Sequence, residues 1–306
     1  MYKTIFGPVP SRRLGMSLGI DLTPHKTCSF DCIYCECGAT TNLTNIRKNF
    51  VDSALVKNEL LIFFEKNINN LPEILTFSGS GEPTLAKNLG EIINFCKKNF
   101  ALPVCVLTNS SLINLEDVQT DLINADIVIP SLDAVSQDIF EKIDRPHNSI
   151  KIENIINGLI NFRKKFKGKL YIEIVILKNI NDSIDELKKI SEIVDKIQPT
   201  AVQLNTAVRP GTIADIQPLS FEELSLIAKL FNIRAQIVST FKANTNINLQ
   251  SAALTELLNR RYCNLNDLLK LLDLNNEQDL QFFLKQNNIA YQTKIQSSEK
   301  FYKIQK

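Results

Sequence analysis

Residues 16–35 read MSLGIDLTPHKTCSFDCIYC, a short apolar strand that runs into a loop carrying three thiols on eight residues. Residues 16–23 form the strand, and Cys28, Cys32 and Cys35 follow at its C-terminal end. A loop this short bends around one centre and presents every sulfur inward. Three thiolates suit a four-iron, four-sulfur cluster with one iron left free of protein ligands, and a free iron is a reaction site. Thiol chemistry alone also leaves zinc open, with Cys37 as the fourth ligand. Structural zinc, however, usually takes its tetrahedral ligands from two separated pairs, and here one loop would supply all four. On the simpler reading Cys37 is a bystander.

The Cx3Cx2C spacing, with Tyr34 just before the last cysteine, resembles the radical S-adenosylmethionine (SAM) superfamily. The resemblance implies a 4Fe-4S cluster on Cys28, Cys32 and Cys35. Its open iron would bind the amino and carboxylate groups of SAM and reduce it to methionine and a 5′-deoxyadenosyl radical. An external one-electron donor such as flavodoxin or ferredoxin is implied as well. The strand EILTF at 73–77 leads into a second chemical feature, Gly79-Ser80-Gly81-Glu82-Pro83. Glycines let a ligand approach the backbone, and a carboxylate beside them suits an ammonium group. This loop resembles the GGEP-type motif that receives the SAM amino group, with Ser80 standing where the first glycine of the pair is usual. Asn109 resembles the tip of the family's third strand. Ser131 and Asp133 resemble the tip of the fourth, which commonly contacts the SAM ribose or carboxylate; alternatively, Asp133 caps the next helix. Tyr34, Gly79, Ser80, Gly81, Glu82, Asn109, Ser131 and Asp133 are therefore the cofactor-binding candidates.

The rest of the chain alternates in the same manner. Apolar runs near residues 17, 73, 103, 126, 170 and 201 read as strands, with amphipathic segments at 51–67, 86–98, 115–123, 151–166, 183–197 and 220–231 as helices. Strands without polar alternation, each ending in a polar tip, are those of a parallel sheet covered by helices. Six units predict a partial, open (β/α)6 TIM-type barrel with its chemistry at the strands' C-terminal ends, which is also the core fold that the resemblance implies. An open side admits a large substrate. Upstream, GPVPSRRLG (7–15) reads as a loop with Arg12 and Arg13 as a solvated pair, and resembles the entry of an uncharacterised subgroup grouped with wybutosine-type tRNA-modifying proteins. Arg145 and His147 fall in a predicted loop at 140–150 as substrate-loop candidates. Arg209 has a fork suited to a carboxylate or phosphate, but reads as an exposed loop residue.

Residues 1–240 are thus expected to be the barrel, 241–250 (FKANTNINLQ) a linker, and 251–306 a small winged-helix-like domain of three helices and a hairpin around SSEK. Nucleic-acid contacts there would be Lys285, Gln286, Asn287, Lys294 and Lys300, yet the reader helix EQDLQFFLKQNN holds one lysine against two acids, which favours a structural or protein-binding module. A net charge of +2 gives no global bias, although the last stretch is net positive with nine Lys/Arg against six Asp/Glu in 241–306. No apolar run reaches membrane-spanning length, and seven cysteines without a secretory segment read as a cytoplasmic chain, with Cys96, Cys105 and Cys263 in the core. The substrate classes left open are a tRNA base, a peptide or protein, and a small molecule. A redox-sensing, nucleic-acid-binding iron-sulfur regulator is the alternative from another class.

Overall fold

A computed structural model describes residues 2–68, 71–213, 216–238, 251–296 and 299–305. Strands β1 (Ile5–Ser11) and β2 (Gly15–Ile20) form an antiparallel hairpin, and the short β3 (Thr27–Cys28) and β4 (Asn42–Leu43) pair across the cysteine loop. The alternation continues as α1 (Ser53–Lys66), β5 (Ile74–Phe77), α2 (Leu89–Asn99), β6 (Val104–Thr108), α3 (Glu116–Leu122), β7 (Ile127–Pro130), α4 (Gln137–Asp144), α5 (Ile152–Lys165), β8 (Lys169–Val175), α6 (Ile184–Ile197), β9 (Ala201–Asn205), α7 (Phe221–Ala228) and β10 (Ala235–Ile237). Among the described residues these strands make one eight-stranded sheet in the order β1-β2-β5-β6-β7-β8-β9-β10, all parallel after the first pair. The architecture is a partial TIM-type barrel.

β5 and β9 are buried along their whole length, as strands sandwiched between lumen and helices must be. Buried polar residues on the inner strands are informative. Glu173 of β8 and Gln203 of β9 stand opposite each other in register and are both buried, so the lumen between them is built for polar contact. Capping sets several helix starts: Asp52 accepts from Ala54 N, and Ser220 with Glu223 forms a capping box at α7.

Two expectations are corrected here. The segment read as a loop at 7–15 is largely β1, because proline is tolerated on an edge strand whose free side needs no ladder donor. The segment at 140–150 begins inside α4, which ends at Asp144 with Arg145 in the left-handed conformation (φ 43°).

The C-terminal residues form α8 (Ser251–Arg260), β11 (Cys263–Asn264), α9 (Leu265–Leu272), α10 (Glu277–Gln286), β12 (Tyr291–Gln296) and β13 (Glu299–Ile304), with the antiparallel sheet order β11-β13-β12. Asn264 caps α9 by accepting from Asp267 N at 2.7 Å. The expected linker at 241–250 lies outside the described residues. Leu254, Leu257, Leu258, Leu268, Leu280 and Tyr302 form a second core that also takes in Val9 of β1, with Phe6 packed against it. At the other edge of the sheet, Gln296 Nε2 donates to Ala207 O (3.1 Å) and Asp267 pairs with Arg209 (3.6 Å). The module therefore spans the side of the barrel that the sheet leaves open, and that side is covered where the sequence suggested an open entrance.

Candidate active site

The cysteine loop is held from several directions. Asp31 N and Ile33 N donate to Asp144 O (3.1 Å) and Ile143 O (3.0 Å) at the end of α4. Arg145, turned back by its left-handed backbone, donates Nε to Asp31 O at 2.6 Å and pairs with the Asp31 carboxylate at 2.8 Å. Arg145 is thus a brace for the loop; the half-buried His147 contacts Ser149 Oγ at 2.9 Å. Thr212 Oγ1 donates into the carbonyls of Cys32 (3.0 Å) and Ile33 (2.7 Å). Beside it Gly211 packs so tightly that an added Cβ would lie 2.8 Å from Tyr34 backbone atoms.

All three thiols are half-buried, and their environments differ. Asn109 Nδ2 lies 3.5 Å from Cys28 Sγ, Lys26 Nζ donates to Cys35 Sγ at 3.1 Å, and Cys32 Sγ donates to Asp144 at 3.2 Å. Burial, then Glu82, pushes the Cys28 thiol up to about 12, and burial with Asp144 pushes Cys32 well above the usual thiol range. Cys35 goes the other way, to about 6: the Cys37 S–H hydrogen bond is the largest influence, and Lys26 adds to it against the cost of burial. Cys37 also lies 3.7 Å from Gly79 O. Among the described residues no three His, Cys, Asp or Glu side chains converge on a point where one metal ion would sit. The donor set of three soft sulfurs, with a lysine and an asparagine amide donating to two of them, fits an iron-sulfur cluster.

The glycine loop is strapped to the cysteine loop. Lys26 N donates to Ser80 O (3.0 Å), Glu82 N donates to Thr27 O (3.2 Å), and Ser80 N and Oγ donate to Asp21 at 3.1 and 3.2 Å. A Cβ on Gly79 would meet the Asp21 carboxylate at 2.1 Å and displace it, and one on Gly81 would meet the backbone oxygen Thr27 O at 2.1 Å, so Gly81 requires glycine. Glu82 is buried and fully engaged. It accepts from Thr84 N (3.0 Å), Thr84 Oγ1 (2.7 Å), Thr108 Oγ1 (2.6 Å) and Asn109 N (2.8 Å), donors that work against the upward push of burial on its carboxyl.

At the next tips, Asp133 accepts from Tyr34 Oη and from Val175 N (2.7 Å), so it pins the aromatic flank of the cysteine loop to β8. It does not cap α4, whose N-cap is Ser136. Tyr34, Gly79 and Ser131, with Cys32 and Cys35, line one cavity of about 350 Å³. Cys28, Ser80, Gly81, Glu82, Asn109 and Asp133 stand behind that lining.

The same cavity holds residues that sequence reading placed elsewhere or missed. Arg12 and Arg13, expected in solvent, turn into the lumen. Arg13 pairs with Glu173 and reaches Gln203 Oε1 at 3.1 Å, and Arg12 Nη1 lies 3.4 Å from Asn205 Oδ1. Behind the lining, Arg209, expected exposed, is 6 % exposed and holds both oxygens of the cavity-lining Glu36 at 3.0 Å. Burial would raise the Glu36 carboxyl, but Arg209, Arg12 and Arg261 outweigh it and hold it at about 2. From the C-terminal module, Leu257, Arg260 and Arg261 close the cavity. The available signal for the first pair was two arginines in the turn of an unrecognised hairpin; for Arg260 and Arg261 no local pattern exists.

This arrangement of thiol loop, glycine loop and lumen is matched by the family model of the Radical SAM superfamily over residues 22–190. The chain belongs to the radical SAM superfamily of enzymes, whose members bind a 4Fe-4S cluster and SAM. Among its relatives it is 39% identical over 227 residues to UPF0026 protein MJ1312 of Methanocaldococcus jannaschii, covering 74% of this chain and 70% of the relative. It is also 44% identical over 237 residues to a protein of Brachyspira hyodysenteriae named GTPase Obg, where the match covers 77% of this chain but spans 34% of the relative's length. A solved structure of TYW1 with a lysine-pyruvate adduct bound shares the fold at a TM-score of 0.52 and 18% identity, over 70% of this chain and 72% of that one. Among the described residues no helix is long and apolar enough to cross a membrane.

Proposed function

We propose that the protein is a radical SAM enzyme that carries its 4Fe-4S cluster on Cys28, Cys32 and Cys35 and activates a C–H bond of a substrate held in the cavity beside them. The carrying observation is that two of these thiols, the tyrosine before the last of them and the glycine loop face one cavity inside the barrel. When bound, the cofactor pair supplies reductive cleavage of SAM to methionine and a 5′-deoxyadenosyl radical. The protein's own residues orient and insulate. Lys26 and Asn109 place donors on two sulfurs, a contact that tunes a cluster's potential. Gly79 gives SAM a backbone surface to lie against, with Ser80 and Gly81 supporting it from behind, and Ser131 offers a hydroxyl. Glu82, with its oxygens already taken, holds Asn109 and Thr108 in place under that surface. Tyr34 is fixed by Asp133 at the cluster's flank. An external donor such as flavodoxin or ferredoxin delivers the electron.

Residues 1–240 are read as the catalytic barrel and 251–306 as a winged-helix-like module whose role is to close the barrel and exclude water. Its inward-facing arginines and its core shared with β1 support that role over nucleic-acid readout; Lys300, one of the expected contacts, is paired with Glu277 at 2.5 Å. The test is anaerobic cluster reconstitution followed by reduction in the presence of SAM, with 5′-deoxyadenosine measured by mass spectrometry. The wild type should form it and Cys32→Ala should not; no product from a reconstituted wild type would overturn the reading.

A further inference from the structure

The arginines in and behind the cavity wall do not balance against the carboxylates that face them. Arg13 is matched by Glu173, and Arg260 by Asp21 at 2.6 Å. Three further guanidiniums, Arg12, Arg209 and Arg261, share Glu36, and only Arg209 has a second carboxylate, Asp267 at 3.6 Å. Arg209 takes both Glu36 oxygens at 3.0 Å, which leaves Arg12 at 3.5 Å and Arg261 at 3.8 Å, too far for a good charge-assisted hydrogen bond. Arg261 Nε is moreover buried without a hydrogen-bond partner. A buried donor left unpaired is costly, and among the described residues no acceptor satisfies it. Both arginines line the cavity shared with Cys32 and Cys35.

We propose that Arg12 and Arg261 grip an anionic group, carboxylate or phosphate, of a small-molecule substrate bound beside the cluster loop. The proposal rests on the radical SAM reading and adds the class of molecule the radical meets. Two planar forks, one from the β1–β2 turn and one from the end of α8, present paired donors suited to a two-oxygen anion. Leu257, Arg260 and Arg261 of the C-terminal module line this cavity of about 350 Å³, a size suited to a small molecule. Because Arg261 follows α8, the module supplies part of the substrate site as well as its wall.

The experiment titrates orthophosphate and, separately, malonate into cluster-reconstituted protein at fixed ionic strength, by calorimetry, with and without saturating SAM. At least one probe should bind saturably, and binding should weaken by about tenfold or more in Arg12→Gln and in Arg261→Gln, the loss of a charge-assisted fork contact. The exposed Lys188→Gln should leave it unchanged. Binding of phosphate alone would assign a phosphoryl group and binding of malonate alone a carboxylate. If Arg12→Gln does not fold, Arg261→Gln and the charge-retaining Arg261→Lys decide. Absence of saturable binding by both probes, equal affinity in wild type and Arg261→Gln, or loss of the anion on adding SAM would overturn the proposal, the last because the anion would then occupy the SAM site. Protein that forms 5′-deoxyadenosine but binds neither probe refutes this inference alone; protein that binds the probe but never cleaves SAM refutes the radical SAM reading.

Discussion

Arg260→Met tests whether the C-terminal module is mechanically part of the active site. Arg260 sits at the end of α8, is 23% exposed in its side chain, and donates to Asp21, 8% exposed, at 2.6 Å. Its guanidinium also lies over the Phe6 ring, 3.9 Å from the centroid. A hydrogen bond to a charged group contributes roughly 1.5–3 kcal/mol, and a partly desolvated cation–π contact about 1 kcal/mol. Breaking a buried pair costs about 3–5 kcal/mol when the remaining charge is stranded. Asp21 is not stranded, since Ser80 N and Oγ (3.1 and 3.2 Å) and Thr23 N and Oγ1 (3.4 and 3.3 Å) still donate to it. The low end applies, about 3 kcal/mol in all. The chain has no tryptophan, so urea unfolding of the anaerobic apo protein is best followed by far-UV circular dichroism. In a double-mutant cycle with Asp21→Asn the coupling should be about 1.5 kcal/mol or more. Because Asp21 carries the Ser80 loop, the KM for SAM should also rise. Single effects that add to within about 0.5 kcal/mol would show that the two side chains act independently and refute the reasoning.

Alkylation of the apo protein should distinguish the thiols. Cys35, held at about 6, is thiolate above that pH and protonated below it, so its iodoacetamide labelling should rise through a midpoint near pH 6, while Cys28, pushed to about 12, stays slow at neutral pH. Cys37→Ala should move the Cys35 midpoint upward, and peptide mass spectrometry reads both. Gly211→Ala places a Cβ 2.8 Å from Tyr34 backbone atoms, and should lower the iron bound per chain after reconstitution while leaving the far-UV spectrum native. Leu258→Ala, at a fully buried position in the core shared with β1, should cost about 3–5 kcal/mol of unfolding free energy.

The parts of the site that the sequence made legible are those with short-range grammar. Cys28, Cys32 and Cys35 lie on eight residues of one loop, and Gly79 and Gly81 stand in the expected loop, although the neighbours they admit are Asp21 and Thr27 where the residue type had suggested a ligand. The six barrel strands from Gly15 to Asn205 and the helices at 251–260 and 265–272 fell where apolar periodicity placed them. Illegible were contacts closed over long separations. Nothing near Arg12 announces Asn205, 193 residues on, and nothing near Arg260 announces Asp21, 239 residues away. β1 was missed because its prolines and glycine mask an edge strand, and with it went the turn that carries Arg12 and Arg13 into the lumen. Glu82 and Asp133 were legible in place but not in use, since a carboxylate's partners depend on which backbone amides the fold brings to it.

The central claim is that three thiolates hold a cluster with one iron open to SAM. Its most direct measurement is the electron paramagnetic resonance spectrum of the reduced, reconstituted protein with and without SAM, recorded beside a metal analysis. The account predicts about four iron per chain, a reduced-cluster signal whose g-values shift when SAM is added, retention of that behaviour in Cys37→Ala and its loss in Cys32→Ala. Stoichiometric zinc, a cluster lost in Cys37→Ala, or a cluster signal indifferent to SAM would contradict it.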